Sequence, residues 1–122
     1  MDKVKIAISC TGRTLEDKMD FRFGRAACFL IVESDTMECT VLDNSATIAP
    51  SGAGIAAAQL VIDQQVDAII TGQIGPNALD ILKNTDILLF QGVPGTAYEN
   101  MVAYHQHKLK KIDGSGPAHA GL

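Results

Sequence analysis

The chain has 122 residues, 47% hydrophobic and 20% charged, with a formal net charge of −4, the size and balance of one soluble domain that buries its own core. That mild acidity, with no Trp, two Tyr and four Phe, argues against a nucleic-acid binder, which needs a basic face and stacking platforms. Three cysteines without C-x-x-C spacing argue against a disulfide framework or structural zinc and fit a reducing, cytoplasmic compartment, and no stretch reads as a signal peptide or membrane span.

In chain order, Val4, Ile6 and Ile8 alternate with Lys3, Lys5 and Ala7 as a strand does. A long polar loop from Thr11 to Gly24 leads into CFLIVES, whose unbroken apolar run suits a central strand covered on both faces. SDTM reads as a hairpin turn and ECTVLDN as the antiparallel partner. The rhythm then changes. After the loop SATIAPSGAG, GIAAAQLVIDQQ reads as a helix with Ala53, Ala57, Leu60 and Val61 on one stripe. VDAIITG and TDILLF read as buried strands, separated by the helix GPNALDILKN with Pro76 in its first turn. GTAYENMVAYHQHKL reads as a third helix, with Thr96 and Glu99 at capping-box spacing and Tyr98, Met101, Val102 and His105 on its stripe. These elements predict a single α/β domain over residues 1–109, with a mixed five-stranded sheet flanked by helices and a loose C-terminal tail over 110–122.

Two arginines, Arg22 and Arg25, bracket Phe23 and Gly24 at the mouth of the second strand. They read either as loop charges, solvated or paired with Asp17 or Asp20, or as one wall of an anion pocket. Three Gly-rich turns supply a candidate second wall: Ser51-Gly52-Ala53-Gly54, Gly72-Gln73-Ile74-Gly75-Pro76-Asn77 and Gly92-Val93-Pro94-Gly95-Thr96. Each opens a helix, and helix N-termini offer N–H groups and a positive dipole end to anions. In open α/β folds such turns gather along one sheet edge. Ser9-Cys10-Thr11 closes the first strand at that edge, which adds Thr11 as a candidate contact. Cys10 is there either a small buried hydrophobe or a thiolate ligand or nucleophile. Gly52-x-Gly54-x-x-Ala57 matches a lenient dinucleotide fingerprint, but no first strand precedes it and no acidic residue closes the next one. No phosphate-loop motif of the G-x-x-x-x-G-K-[ST] type occurs. His105 and His107 would diverge on a helix, a poor spacing for one metal ion. No acid–base constellation marks an enzyme.

Asp20-Phe21-Arg22-Phe23-Gly24-Arg25-Ala26, Ser51 to Gln59 and Thr71 to Ala78, taken together and in this order, resemble the dinitrogenase iron–molybdenum cofactor-binding family over about Lys3 to Leu109. The resemblance implies a ribonuclease H-like fold without nuclease activity. The family includes carriers of nitrogenase cofactor precursors and small stand-alone members of the orange-protein kind, to which this chain is similar in size. It implies a non-enzymatic carrier for an anionic molybdenum–sulfur cluster, with copper or iron as second metal, held without a covalent bond because the cluster brings its own sulfide. Cluster donor and acceptor proteins are the implied partners. By resemblance, the ligand-facing role falls on Arg22, Phe23, Gly24 and Arg25, and further on Gly52, Gly54, Gly72, Gln73, Gly75 and Asn77. The rival reading is a metal-free regulatory or scaffold protein that makes contacts through the apolar helix Ile55 to Ile62.

Overall fold

The computed structural model describes residues 4–44 and 52–112. Its elements run β1 (Lys5–Cys10), β2 (Cys28–Glu33), β3 (Cys39–Asp43), α1 (Ala53–Asp63), β4 (Ala68–Thr71), α2 (Pro76–Lys83), β5 (Leu88–Gln91), α3 (Ala97–His105) and β6 (Lys110–Lys111). They form one six-stranded sheet in the order β3-β2-β1-β4-β5-β6. β1, β4 and β5 are parallel neighbours, while β2, β3 and β6 pair antiparallel. The α/β domain, the hairpin and the three helices stand as the residue pattern predicts. The count of five strands is corrected to six.

The pleat sorts side chains by parity. Ala7, Phe29, Ile31 and Ile69 face α1 and α2, where Ala57, Ala58, Val61, Ala78 and Leu82 meet them. Ile6, Ile8, Leu30, Val32 and Ile70 face the other way, toward Ala97 and Met101 of α3. β2 is covered on both faces because it lies between β1 and β3 with a layer on each side. Fully burying a side chain such as Phe29 contributes about 1.5–3 kcal/mol.

Three details depart from the sequence reading. β5 is not fully buried, since Leu88 at its start is 46% exposed. α3 buries Ala97, Asn100 and Met101, whereas Tyr98 and His105 stand exposed. Its inward face turns on a polar residue: the Asn100 side-chain amide donates to the Val93 and Thr96 carbonyls, at 3.0 Å each, and its oxygen accepts from the Val93 N–H at 2.8 Å. The capping box is present, with Glu99 N–H donating to Thr96 Oγ1 at 3.0 Å and Thr96 N–H to Glu99 Oε1 at 2.8 Å.

The helix stops four residues early for a local reason. His107 adopts a left-handed φ of 58°. The Lys108 and His107 N–H groups then donate back to Ala103 and Tyr104 at 2.9 and 3.0 Å, the doubled bond of a Schellman stop. The reversal carries Lys110 and Lys111 back beside Gln91 and Phe90. Two residues of the expected tail are therefore the sixth strand; residues 113–122 lie outside the described ones.

Candidate functional site

The loop between β1 and β2 is a strap across the C-terminal ends of the parallel strands. It leaves β1 as a short ladder, with Thr11 N–H donating to Lys18 O and Asp20 N–H to Ser9 O, both at 2.9 Å. At its far reach it meets the β5–α3 turn: Met19 N–H donates to Gly95 O, Ala97 N–H to Asp17 O and Tyr98 N–H to Leu15 O, each at 2.9 Å. On its return Phe21 and Phe23 exchange backbone bonds with Gln73, and Arg22 pairs beside Gln73 as a bridge. The strap thus draws the turns before α2 and α3 together along one edge.

The strap also separates the three helix N-termini. That of α3 is closed, because Leu15 and Asp17 carbonyls and the capping box take its amides. Those of α1 and α2 carry no side-chain cap among the described residues. They lie side by side and share a notch of about 170 Å3 lined by Gly52, Ala53, Gly54, Ile55, Gly75, Pro76, Asn77 and Ala78. Two helix N-termini facing one notch present their positive dipole ends to it, and no charged residue is among the described residues of its lining.

The glycines here have different physical grounds. Gly52, the N-cap of α1, has φ 73°, the left-handed region that L side chains avoid. A Cβ on Gly24 would stand 2.9 Å from the Gly54 N and Cα, so Gly24 is set by contact of the strap's backbone with the first turn of α1. Gly54 in turn approaches Ala78 of α2. Gly72 is buried, and a side chain there would meet the Phe21 ring and carbonyl. Gly75 is the exception. Its φ of −67° and ψ of 163° suit any residue, and none of the described residues lies within 4 Å of where its Cβ would be.

The structure divides the residues singled out in the sequence. Gly52, Gly54, Gly75 and Asn77 line the notch together. Gly24, Gly72 and Gln73 build its frame. Phe23 does not face a ligand: it is 1% exposed, its ring 5.2 Å from that of Phe29 in the core. The strap alternates there, leaving Phe21 48% exposed and turning Phe23 inward. Thr11 is tied within the strap, its hydroxyl donating to Lys18 O at 3.0 Å. Arg25 is exposed and follows Gly24 directly.

Arg22 grips its own strap. Its Nε and Nη2 donate to Asp20 Oδ1 and Oδ2, both at 3.2 Å, and its backbone N–H donates to Oδ1 at 3.0 Å. The Asp20 carboxylate holds the Arg22 proton more tightly than usual. The Arg22 side chain remains 65% exposed while that of Asp20 is 7% exposed, so the charge still faces outward. Asn44 was missed in the sequence; its buried side-chain amide donates to Gly24 O at 3.1 Å and Ala26 O at 2.9 Å, clamping the strap where it enters β2.

Cys10 is fully buried and belongs to the α3 face, away from the α1 and α2 notch. It opposes Cys28 in the β1–β2 register, and its Sγ contacts Lys18 O at 3.3 Å. Burial raises its pKa, and burial with the neighbouring Cys10 pushes Cys28 to about 11. Burial thus disfavours the thiolate at both sulfurs, the environment in which a free Cys acts as a small hydrophobe. Among the described residues no three His, Cys, Asp or Glu side chains form a metal-holding group, and no helix is long and apolar enough to cross a membrane.

The chain is similar to known proteins in sequence and in fold. The apo orange protein of Desulfovibrio gigas superposes with a TM-score of 0.86 at 29% identity, over 91% of this chain and 94% of that one. A Thermotoga protein of the DUF35 family gives 0.78 at 27% identity, over 90% and 94%. The Methanocaldococcus jannaschii protein MJ0580 is 28% identical over 100 residues, 80% of this chain and 85% of its own. The model of the dinitrogenase iron-molybdenum cofactor family matches residues 4–107, and the chain belongs to that family.

Proposed function

We propose that this protein is a non-enzymatic carrier whose cargo is an anionic metal–sulfur cluster, molybdenum-containing with copper or iron as second metal. One observation carries the reading: two uncapped helix N-termini converge on a single glycine-walled notch. Such ends bind anions through amide N–H groups and the helix dipole. Gly75 supports the fit, since neither backbone angle nor packing requires a glycine there, whereas an anion seated against the amides does. A cluster that carries its own sulfide needs charge and N–H donors rather than thiolates. Arg22 and Arg25 stand on the flanking strap and supply formal positive charge.

The test is anaerobic equilibrium dialysis of the pure protein with tetrathiomolybdate and copper(I). Retention of both metals with a charge-transfer absorption band is expected; no retention contradicts the reading. Arg25→Ala is expected to weaken retention about tenfold, the scale of one charge-assisted contact. Arg22→Ala lowers both affinity and melting temperature, because the buried Asp20 carboxylate loses its partner. If both variants retain the cluster as wild type does, the arginines serve the strap alone.

Cysteine gives an independent check. Cys10→Ala and Cys28→Ala are expected to change cluster affinity by less than about threefold on the folded fraction, since free buried Cys acts as a small hydrophobe. Loss of metal from folded Cys10→Ala would make its sulfur a ligand.

A further inference from the structure

A second cavity, of about 540 Å3, lies far from the notch and is lined by Phe90, Tyr104, His105, His107, Leu109 and Lys111. Phe90, Tyr104 and Leu109 pack on the α3 face of the sheet, opposite α1 and α2. The volume falls in the range of small-molecule sites. Its floor is aromatic and fixed: the Phe90 and Tyr104 rings meet edge to face at 5.6 Å, and the Tyr104 and His105 rings also lie 5.6 Å apart. His105 is held in place by Nε2, 2.9 Å from the Ser34 carbonyl oxygen.

Lys111, which stands beside Phe90 in the β5–β6 register, is the one lysine among the described lining residues, with His105 and His107 near it. No Asp or Glu is among the described residues of the cavity lining. An apolar floor of rings set edge to face, with a lysine at its margin, is complementary to an amphipathic anion, with the body desolvated on the rings and the acidic group at the solvent edge.

We propose that this cavity is a second ligand site, for a small organic anion with an aromatic or other apolar body and one carboxylate, sulfonate or phosphate group directed to Lys111. It is independent of the notch, because none of its described lining residues contributes to the notch lining.

The experiment is a titration of the full-length 15N-labelled protein with 1-naphthoate and with its neutral counterpart 1-naphthalenemethanol, followed by amide shifts. Saturable shifts at Phe90, Tyr104, Leu109 and Lys111 are expected, with the alcohol at least about twofold weaker. Lys111→Gln, an exposed substitution, should weaken naphthoate about two- to fivefold, the scale of one solvent-exposed ion pair, and leave the alcohol unchanged. Tyr104→Ala should weaken both ligands. Absence of saturation, shifts centred on Gly52–Gly54 and Gly75, equal binding of the neutral alcohol, or an unchanged naphthoate affinity in Lys111→Gln would each overturn the proposal.

Discussion

Gly75→Asp is expected to move stability and cluster affinity in opposite directions. Gly75 is the N-cap of α2, has extended backbone angles and leaves open space at its Cβ, so aspartate enters without strain. Its carboxylate can accept the Asn77 or Ala78 N–H and complements the helix dipole. That stabilises the fold by a few tenths to about 1 kcal/mol. For an anionic cargo the same carboxylate occupies the amides and repels the ligand. Two like charges about 4 Å apart at an effective dielectric of 20 repel by about 4 kcal/mol, so affinity should fall by at least about a hundredfold. Thermal melts and equilibrium dialysis on the same sample read both quantities. A stabilised variant that binds the cluster as wild type does would place the cluster elsewhere.

Gly24→Val is expected to damage fold and site together. Its first side-chain atom would stand 2.9 Å from backbone atoms of Gly54, and backbone cannot swing aside as a flexible side chain can. Either the strap lifts from α1 or the first turn of α1 frays. Overpacking of this kind costs about 3 kcal/mol. The Asn44 bonds to Gly24 and Ala26 carbonyls would be strained in the same movement. The measurement is the urea midpoint, with cluster affinity taken on the folded fraction. A wild-type midpoint would mean that the Gly24–Gly54 contact opens freely.

The contrast between these glycines shows what the sequence could and could not reveal. Both read as close-approach positions next to a ligand. Gly24 is close to another backbone, Gly75 to none of the described residues within 4 Å, and only the fold separates these grounds. The central strands were legible because alternation in KIAISC and a continuous run in CFLIVE each admit few alternatives. β6 was not, because two lysines carry no strand pattern. It exists because His107 takes the left-handed turn that glycine usually takes, and so returns the chain to β5.

Two misreadings at the edge have a common origin in the strap. The α3 N-terminus was grouped with the other two as a candidate wall despite its capping-box spacing, but its amides are taken by that box and by carbonyls of Leu15 and Asp17, backbone atoms that no motif displays. Phe23 looked ligand-facing beside the arginines, but the strap's alternation sends it into the core against Phe29. The Arg22–Asp20 pair was visible at its two-residue spacing as one of two open readings. The geometry joins the two: the guanidinium fastens the strap and still presents its charge outward.

The most direct test of the central claim is an amide map of cluster binding. Full-length 15N-labelled protein is titrated anaerobically with tetrathiomolybdate and copper(I), and shifts are followed residue by residue. The account predicts the largest changes at the N–H groups of Ala53, Gly54, Ile55, Asn77 and Ala78, with Cys10 and Cys28 little affected. Metal retained with those five amides unmoved, or with the largest changes at Cys10 and Cys28, would contradict it.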